Sequence, residues 1–322
     1  MSDTPKPLAT RQAYGNALLA LGAEHPELVV FDADLSGSTN TAKFAKAYPE
    51  RFFNMGIAEQ NMVSTAAGIA TTGKVPFVSS FAMFAAGRAW EQVRNSVAHN
   101  HLNVKIAATH AGITLGQDGA SHQIIEDFAL MTSIPGMNVF VPADEHETTF
   151  MVEQLLTVHR GPAYLRLCRQ AFPPVYESAA ALAGRPLTAA QILRRGEQVS
   201  LIAVGVMVHL ALIAAEQLAA KGISAEVVNL SCLKPLDHET VLTTLRRTGC
   251  AVVAEEHNHI GGANQLVAAC GARYLEKHTP IEVVAIEDQF GQSGTASELM
   301  AHYGLTAEQI VSKAERALRR KK

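Results

Sequence analysis

Short apolar runs, each followed by a longer stretch of helical spacing, leave this chain few folds to choose from. Leu28-Val-Val-Phe31, Val75–Ser79, Val104–Thr109, Asn138–Val141 and Ala163–Leu167 read as strands covered on both faces. Thr10–Leu21, Ile57–Thr72, Met83–Asn100, Ile124–Thr132 and Glu145–His159 read as the helices between them. Strand then helix, repeated, predicts a parallel sheet with helices on both faces. The pattern breaks at Phe172-Pro-Pro-Val and the Ala-rich stretch Ser178–Pro186, then resumes with strands at Ser200–Val204, Ala225–Leu230, Ala251–Glu255 and Ile281–Ile286, and a helix at His209–Ala220 that stops at Gly222. The expected class is therefore α/β with two domains, each a mostly parallel sheet flanked by helices. Its divisions are a disordered tail (1–9), a first domain (10–172), a linker (173–190) and a smaller second domain (191–322).

Composition excludes several function classes. With 48% hydrophobic and 18% charged residues the chain has the means to bury a core and does not resemble a disordered one. Its 27 Lys and Arg against 30 Asp and Glu give a net charge of −3, so no broad positive field exists to hold nucleic acid. The opening MSDTPKP has no cationic segment leading into an apolar one, which predicts a cytoplasmic protein. Cys168, Cys232, Cys250 and Cys270 form no C-x-x-C pair and read as buried free thiols rather than metal ligands or disulfides. The most apolar stretch, Val199–Ala215, falls short of the roughly 20 residues that cross a bilayer and reads as a strand running into a helix, so no membrane partner is expected. The closing Glu315-Arg-Ala-Leu-Arg-Arg-Lys-Lys reads as a solvated helix end whose cations suit the negative end of the dipole.

In an open parallel sheet ligands lie beyond the carboxyl ends of the strands. Three loops there are unusually polar: Asp32-Ala-Asp34-Leu-Ser36-Gly-Ser38-Thr-Asn40, His110 through Asp118-Gly119-Ala-Ser121-His122, and Cys168-Arg169-Gln170. The sharpest element is Asn54-Met-Gly56-Ile-Ala-Glu59-Gln60-Asn61, where Glu59 falls in the first turn of a helix. Taken alone, an acid there is equally an ordinary partner of the helix dipole or cap.

Gly56-Ile-Ala-Glu59-Gln60 resembles the Gly-Ile-x-Glu-Gln signature of the pyrimidine-binding domain of transketolase-like thiamine diphosphate enzymes. Thr10-Arg11, Asp34-Leu-Ser-Gly-Ser38, Ser80-Phe81-Ala-Met-Phe84, Thr109-His110 through Gly116-Gln-Asp118-Gly119-Ala-Ser-His122-Gln, and Leu167-Cys-Arg169-Gln170 resemble further transketolase segments in the same order. The resemblance covers roughly residues 10–170, and the second domain is similar to the transketolase C-terminal domain.

The resemblance implies that Glu59 bonds the aminopyrimidine ring so that it shifts to its imino tautomer, and that Phe81 and Phe84 form the floor under the ring, with Asp34 also on the cofactor side. It implies that Arg11, Ser38, His110 and Arg169 contact the sugar phosphate, Arg169 through a bidentate guanidinium, and that Asp118 and His122 lie by the sugar hydroxyls, His122 with a catalytic part. Phe81 and Phe84, taken without these neighbours, read as core, and an isolated Arg or loop His as a salt bridge or a satisfied histidine. Where transketolases often carry a third aromatic, this chain has Gly87 followed by Arg88.

The Gly-Asp-Gly motif that holds Mg²⁺ and the diphosphate, closed by a later Asn, is not found: Asp118-Gly119 follows Gln117, and Asn138 sits in an expected strand. The implied protein is the C-terminal-like subunit of a split transketolase, inactive alone. A partner chain would supply the diphosphate domain and the Mg²⁺ or Ca²⁺, with no metal ligand in this chain, in an α2β2 heterotetramer with a self-dimer of this chain. Its substrates would be phosphosugars, of the pentose phosphate pathway or of the catabolism of an unusual sugar. A 1-deoxy-D-xylulose-5-phosphate synthase-like enzyme, a 2-oxo-acid dehydrogenase beta subunit and a non-catalytic paralogue are the alternatives. Glu255-Glu256-His257-Asn-His259 looks metal-like but has no third ligand within sequence reach.

Overall fold

A computed structural model describes residues 7–321. The first six residues of the expected tail lie outside the described part, whereas Leu8 donates its N–H to Glu145 (2.8 Å) and Ala9 bridges to Ala171. Among the described residues twelve strands run β1 Leu28–Asp32, β2 Phe52–Asn54, β3 Val75–Phe81, β4 Lys105–Thr109, β5 Asn138–Phe140, β6 Ala163–Arg166, β7 Gln191–Arg194, β8 Val199–Ala203, β9 Ala225–Asn229, β10 Cys232–Lys234, β11 Ala251–Asn258 and β12 Ile281–Ile286.

The chain divides into two compact units. One holds the chain up to Ala111 with Ile134–Met137 and Asp144–Gly184; the other holds Gly112–Ser133, Asn138–Ala143 and everything from Arg185. In the first unit five strands are parallel in the order β6-β4-β3-β1-β2. β1, β3, β4 and β6 are buried at every residue, which is why they read as mostly apolar runs rather than as alternating ones. In the second unit β12-β11-β8-β9 are parallel, β7 closes the edge antiparallel to β9, and β10 pairs antiparallel with β5. The short strands β2, β7 and β10 are not among those expected from the sequence.

The helix expected over Met83–Asn100 is not one α-helix. A π-helical turn at Met83–Arg88, a short α-turn at Trp90–Gln92 and a second π-turn at Val93–Ala98 take its place. Helical apolar spacing barely distinguishes a turn of 3.6 residues from a π-bulge, so this departure is invisible in sequence. The expected linker is no open tether: Val175 and Tyr176 donate their N–H groups to Asp144 (2.7 and 2.8 Å), and Leu182, in a 3₁₀ turn at Ala179–Leu182, is buried. All four cysteines are buried thiols. The terminal helix Ala307–Arg320 ends in exposed cations as expected, and Arg316 and Arg320 both reach Glu282.

Lys105 on β4 is fully buried, with its ammonium nitrogen 2.6 Å from Asn103 Oδ1, 2.9 Å from the Gly161 carbonyl and 2.9 Å from His159 Nδ1. Burial lowers it to about 7, and burial together with Lys105 lowers His159 to about 4. Between about pH 7 and the ordinary lysine value the unfolded chain binds a proton that the folded chain does not, so this group's contribution to stability rises with pH. Urea melts of wild type and Lys105→Met at about pH 7, 8 and 9 should show wild type gaining on the variant as pH rises. Parallel profiles would mean that Lys105 stays charged.

Candidate active site

Gly56 opens the turn before the helix Glu59–Ala70 with a φ of +69°, and nothing lies within 4 Å of where a Cβ would stand. The glycine is there for its left-handed backbone and not for space. Asn54 fixes this entry: its Oδ1 accepts from the N–H groups of Gly56 (3.0 Å) and Asp34 (3.1 Å), and its Nδ2 donates to Asp34 Oδ1 (3.0 Å). Glu59 is only 1% exposed, and no side chain caps the helix end that it starts. Its carboxylate instead accepts from Arg88 Nη1 at 2.8 Å, so the reading of Glu59 as a plain cap finds no support here.

Arg88 stands at the end of the π-turn Met83–Arg88, with its guanidinium 4.6 Å from the Phe84 ring centroid. Phe84 stacks on Phe81 (6.1 Å, 12°), the last residue of β3, and Phe81 stacks on His110 (3.9 Å, 27°), which follows β4. Glu59, Arg88, Phe84, Phe81 and His110 thus form one continuous chain of contacts at the carboxyl ends of neighbouring strands.

His110 has a φ of +59° and Asp34 one of +63°, a conformation that costs a non-glycine residue energy and that clusters at functional sites. His110 Nδ1 lies 2.8 Å from Thr109 Oγ1, and burial, then Arg11 and Arg169, push the imidazole down to about 3. It is therefore neutral near pH 7. Arg11, in the first turn of Thr10–Leu21, donates to the carbonyls of Arg169 (Nε, 3.2 Å) and Ser38 (Nη1, 2.5 Å), which gathers two of the three polar loops. Behind the loop that carries Asp34 and Ser38, the fully buried Asp32 carboxylate accepts from Leu35 N–H (2.6 Å), Thr39 (2.7 Å) and Thr41 (2.9 Å).

Asp118 and His122 belong to the other unit, on the loop 116–123, where Ser121 Oγ lies 3.0 Å from His122 Nδ1. Gln123 Nε2 pins that loop to the carbonyls of Ile113, Gly116 and Gln292 (3.0–3.3 Å), and Glu256 Oε1 accepts from Thr114 N–H (2.7 Å). Gly112 packs on Glu256 so closely that a Cβ would stand 2.2 Å from its carboxyl carbon. The metal-like cluster is thereby explained otherwise. Glu255 accepts from the N–H groups of Ala263 (2.6 Å) and Asn264 (3.1 Å) at a helix start, and His257 Nε2 accepts from Phe128 N–H (3.1 Å). Among the described residues no group of three or more His, Cys, Asp or Glu is placed to hold a metal ion, and no helix is long and apolar enough to cross a membrane.

The first unit thus unites Glu59, Phe81, Phe84, His110, Arg11 and main-chain atoms of Ser38 and Arg169, with Asp34 tied to the Glu59 entry; Asp118 and His122 belong to the second. Sequence reasoning gave no role to Asn54 or to Gln123, set Glu256 down as a weak metal candidate, and noted Arg88 only as a departure. A charged residue where an aromatic is expected was the one available signal for Arg88.

Residues 6–174 match the transketolase pyrimidine-binding domain and residues 188–310 the transketolase C-terminal domain. A solved structure described as a split gene transketolase, inactive beta4 tetramer, superposes with a TM-score of 0.88 at 47% identity, covering 98% of this chain and 100% of that one. The 6-deoxy-6-sulfo-D-fructose transketolase subunit SqwH of Clostridium sp. (strain MSTE9) is 38% identical over 97% of this chain and 95% of its own length. A 1-deoxy-D-xylulose-5-phosphate synthase of Pelotomaculum thermopropionicum is 39% identical over 93% of this chain, which spans 46% of that relative. From its two domain matches and these relatives alike, the chain belongs to the transketolase family of thiamine enzymes.

Proposed function

We propose that this chain is the C-terminal-like subunit of a split transketolase, moving a two-carbon ketol unit from a ketose phosphate to an aldose phosphate with thiamine diphosphate. The observation that carries this reading is the buried Glu59 carboxylate beside the stacked Phe81–Phe84 pair. A carboxyl group and an aromatic floor are what the aminopyrimidine half of the cofactor requires, so the residues present fit it. When bound, thiamine diphosphate supplies the carbon nucleophile that carries the two-carbon unit.

Glu59 holds a proton at the pyrimidine ring nitrogen, Phe81 and Phe84 support the ring, and Asp34 lines the cofactor side. His110, kept neutral by its burial and by two arginines, can donate or accept a hydrogen bond without adding charge to the site. Arg11, Arg169 and Ser38 bind the sugar phosphate, and Asp118 and His122 bind sugar hydroxyls, His122 also moving a proton. In this reading residues 10–172 form the pyrimidine-binding domain and 191–322 the C-terminal domain. A second chain brings the diphosphate-binding domain and the Mg²⁺ or Ca²⁺, and an α2β2 assembly joins the two through an interface of the obligate class, about 2,000 Å² or more. The near-complete mutual coverage with proteins named as a transketolase subunit and a split gene transketolase supports this division.

The test is reconstitution. Alone, the chain is expected to show no ketol transfer in a coupled xylulose 5-phosphate/ribose 5-phosphate assay and little heat on titration with thiamine diphosphate. Adding the partner should restore both. Robust activity in the isolated chain would overturn the split reading. The resemblance to the synthase is tested in the same mixture, where consumption of pyruvate with glyceraldehyde 3-phosphate, in place of ketol transfer, would select the synthase-like alternative.

A further inference from the structure

The guanidinium of Arg88 occupies both surfaces that the proposed function assigns to the aminopyrimidine: it bonds the Glu59 carboxylate at 2.8 Å and covers the Phe84 ring at 4.6 Å. A guanidinium is planar, presents an N–H edge and stacks on aromatic faces, so it meets the demands of the site much as a flat aminopyrimidine does. We infer that Arg88 is a placeholder that holds Glu59 in the cofactor-free subunit and must leave its carboxylate when thiamine diphosphate binds. This inference rests on the function proposed above.

The arginine and the aminopyrimidine compete for the same two places: Arg88 Nη1 takes Glu59 Oε2, and its guanidinium lies over the Phe84 ring on which the pyrimidine would stack. Leaving is inexpensive on one side of the pair and costly on the other. Arg88 is 46% exposed and can turn to water, whereas Glu59, at 1%, cannot, so the buried acid needs either the arginine or the cofactor beside it. The backbone suits a movable group as well. Arg88 ends a π-turn in which Ala89 N–H bonds the Phe84 carbonyl (3.1 Å), a geometry that occurs mostly as single turns at functional sites, and Gly87 beside it has no side chain to obstruct the swing.

Calorimetric titration of thiamine diphosphate with Mg²⁺ into the reconstituted complex tests the inference, using wild type, Arg88→Gln and Arg88→Lys. With the competitor weakened, Arg88→Gln should bind the cofactor about 10-fold more tightly, while Arg88→Lys, which keeps the charge, should stay within about 3-fold of wild type. Unchanged or weaker binding by Arg88→Gln, with wild type binding normally, overturns the placeholder and leaves the proposed function standing. A wild-type complex that binds no thiamine diphosphate overturns both. Should Arg88→Gln fail to assemble, a structure of the loaded wild-type complex decides: Arg88 beyond hydrogen-bond distance of Glu59 supports the inference, and an intact Arg88–Glu59 pair overturns it.

Discussion

Glu59→Gln should lower kcat of the reconstituted enzyme by about 10²–10⁴-fold while leaving cofactor binding in place, the range expected when a positioned acid–base group is lost. Glutamine keeps the volume and a hydrogen-bonding end, so the packing around a side chain that is 1% exposed survives. What it loses is the ability to hold or release a proton. The amide also gives up the ion pair with Arg88, but that arginine is 46% exposed and re-solvates, so the stability cost stays well below that of leaving a buried charge unpaired. The decisive measurement is deuterium exchange at the thiazolium C2 of the bound cofactor, followed by NMR in the assembled complex. Wild-type exchange in the variant would reduce Glu59 to a structural carboxylate and remove the main support for thiamine catalysis in this subunit.

Arg169→Ala should raise KM for phosphorylated sugars by about 10–100-fold, from the roughly 1.5–3 kcal/mol of a charged hydrogen bond, and should hardly change KM for non-phosphorylated ones. The contact from Arg11 Nε to residue 169 runs to the main-chain carbonyl at 3.2 Å and is compatible with the substitution. The placement of the loop is therefore expected to persist while the guanidinium is lost. Steady-state kinetics on a matched pair of sugars, one with and one without the phosphate, separates the roles: equal losses on both would make Arg169 structural. His110 offers a control, because an imidazole pushed down to about 3 contributes no titration near neutrality, and any pH dependence of KM there must come from the phosphate itself or from another group.

The alternation of buried strands and helices was legible in the chain because strands covered on both faces are mostly apolar, and β1, β3, β4 and β6 are buried at every residue. The Gly56 to Glu59 turn was legible because a positive φ selects glycine whatever surrounds it. Such features depend on local geometry, and local geometry is written in residue type. The π-turn at Met83–Arg88, the antiparallel edge strands and the hold of Gln123 and Glu256 on the loop that carries Asp118 and His122 were not legible. Glu256 and Thr114 are bonded across a sequence separation of 142, and no local preference of either residue encodes the other. The same division runs through the site itself. The sequence by itself determined that the acid at residue 59 would stand in the first turn of a helix and that two phenylalanines would stand near the end of a strand. Only the tertiary structure decided that the acid is buried, that the rings stack, and that Arg88, rather than a backbone N–H, is its partner, because burial and charge pairing are properties of the packed chain and not of the residues taken singly.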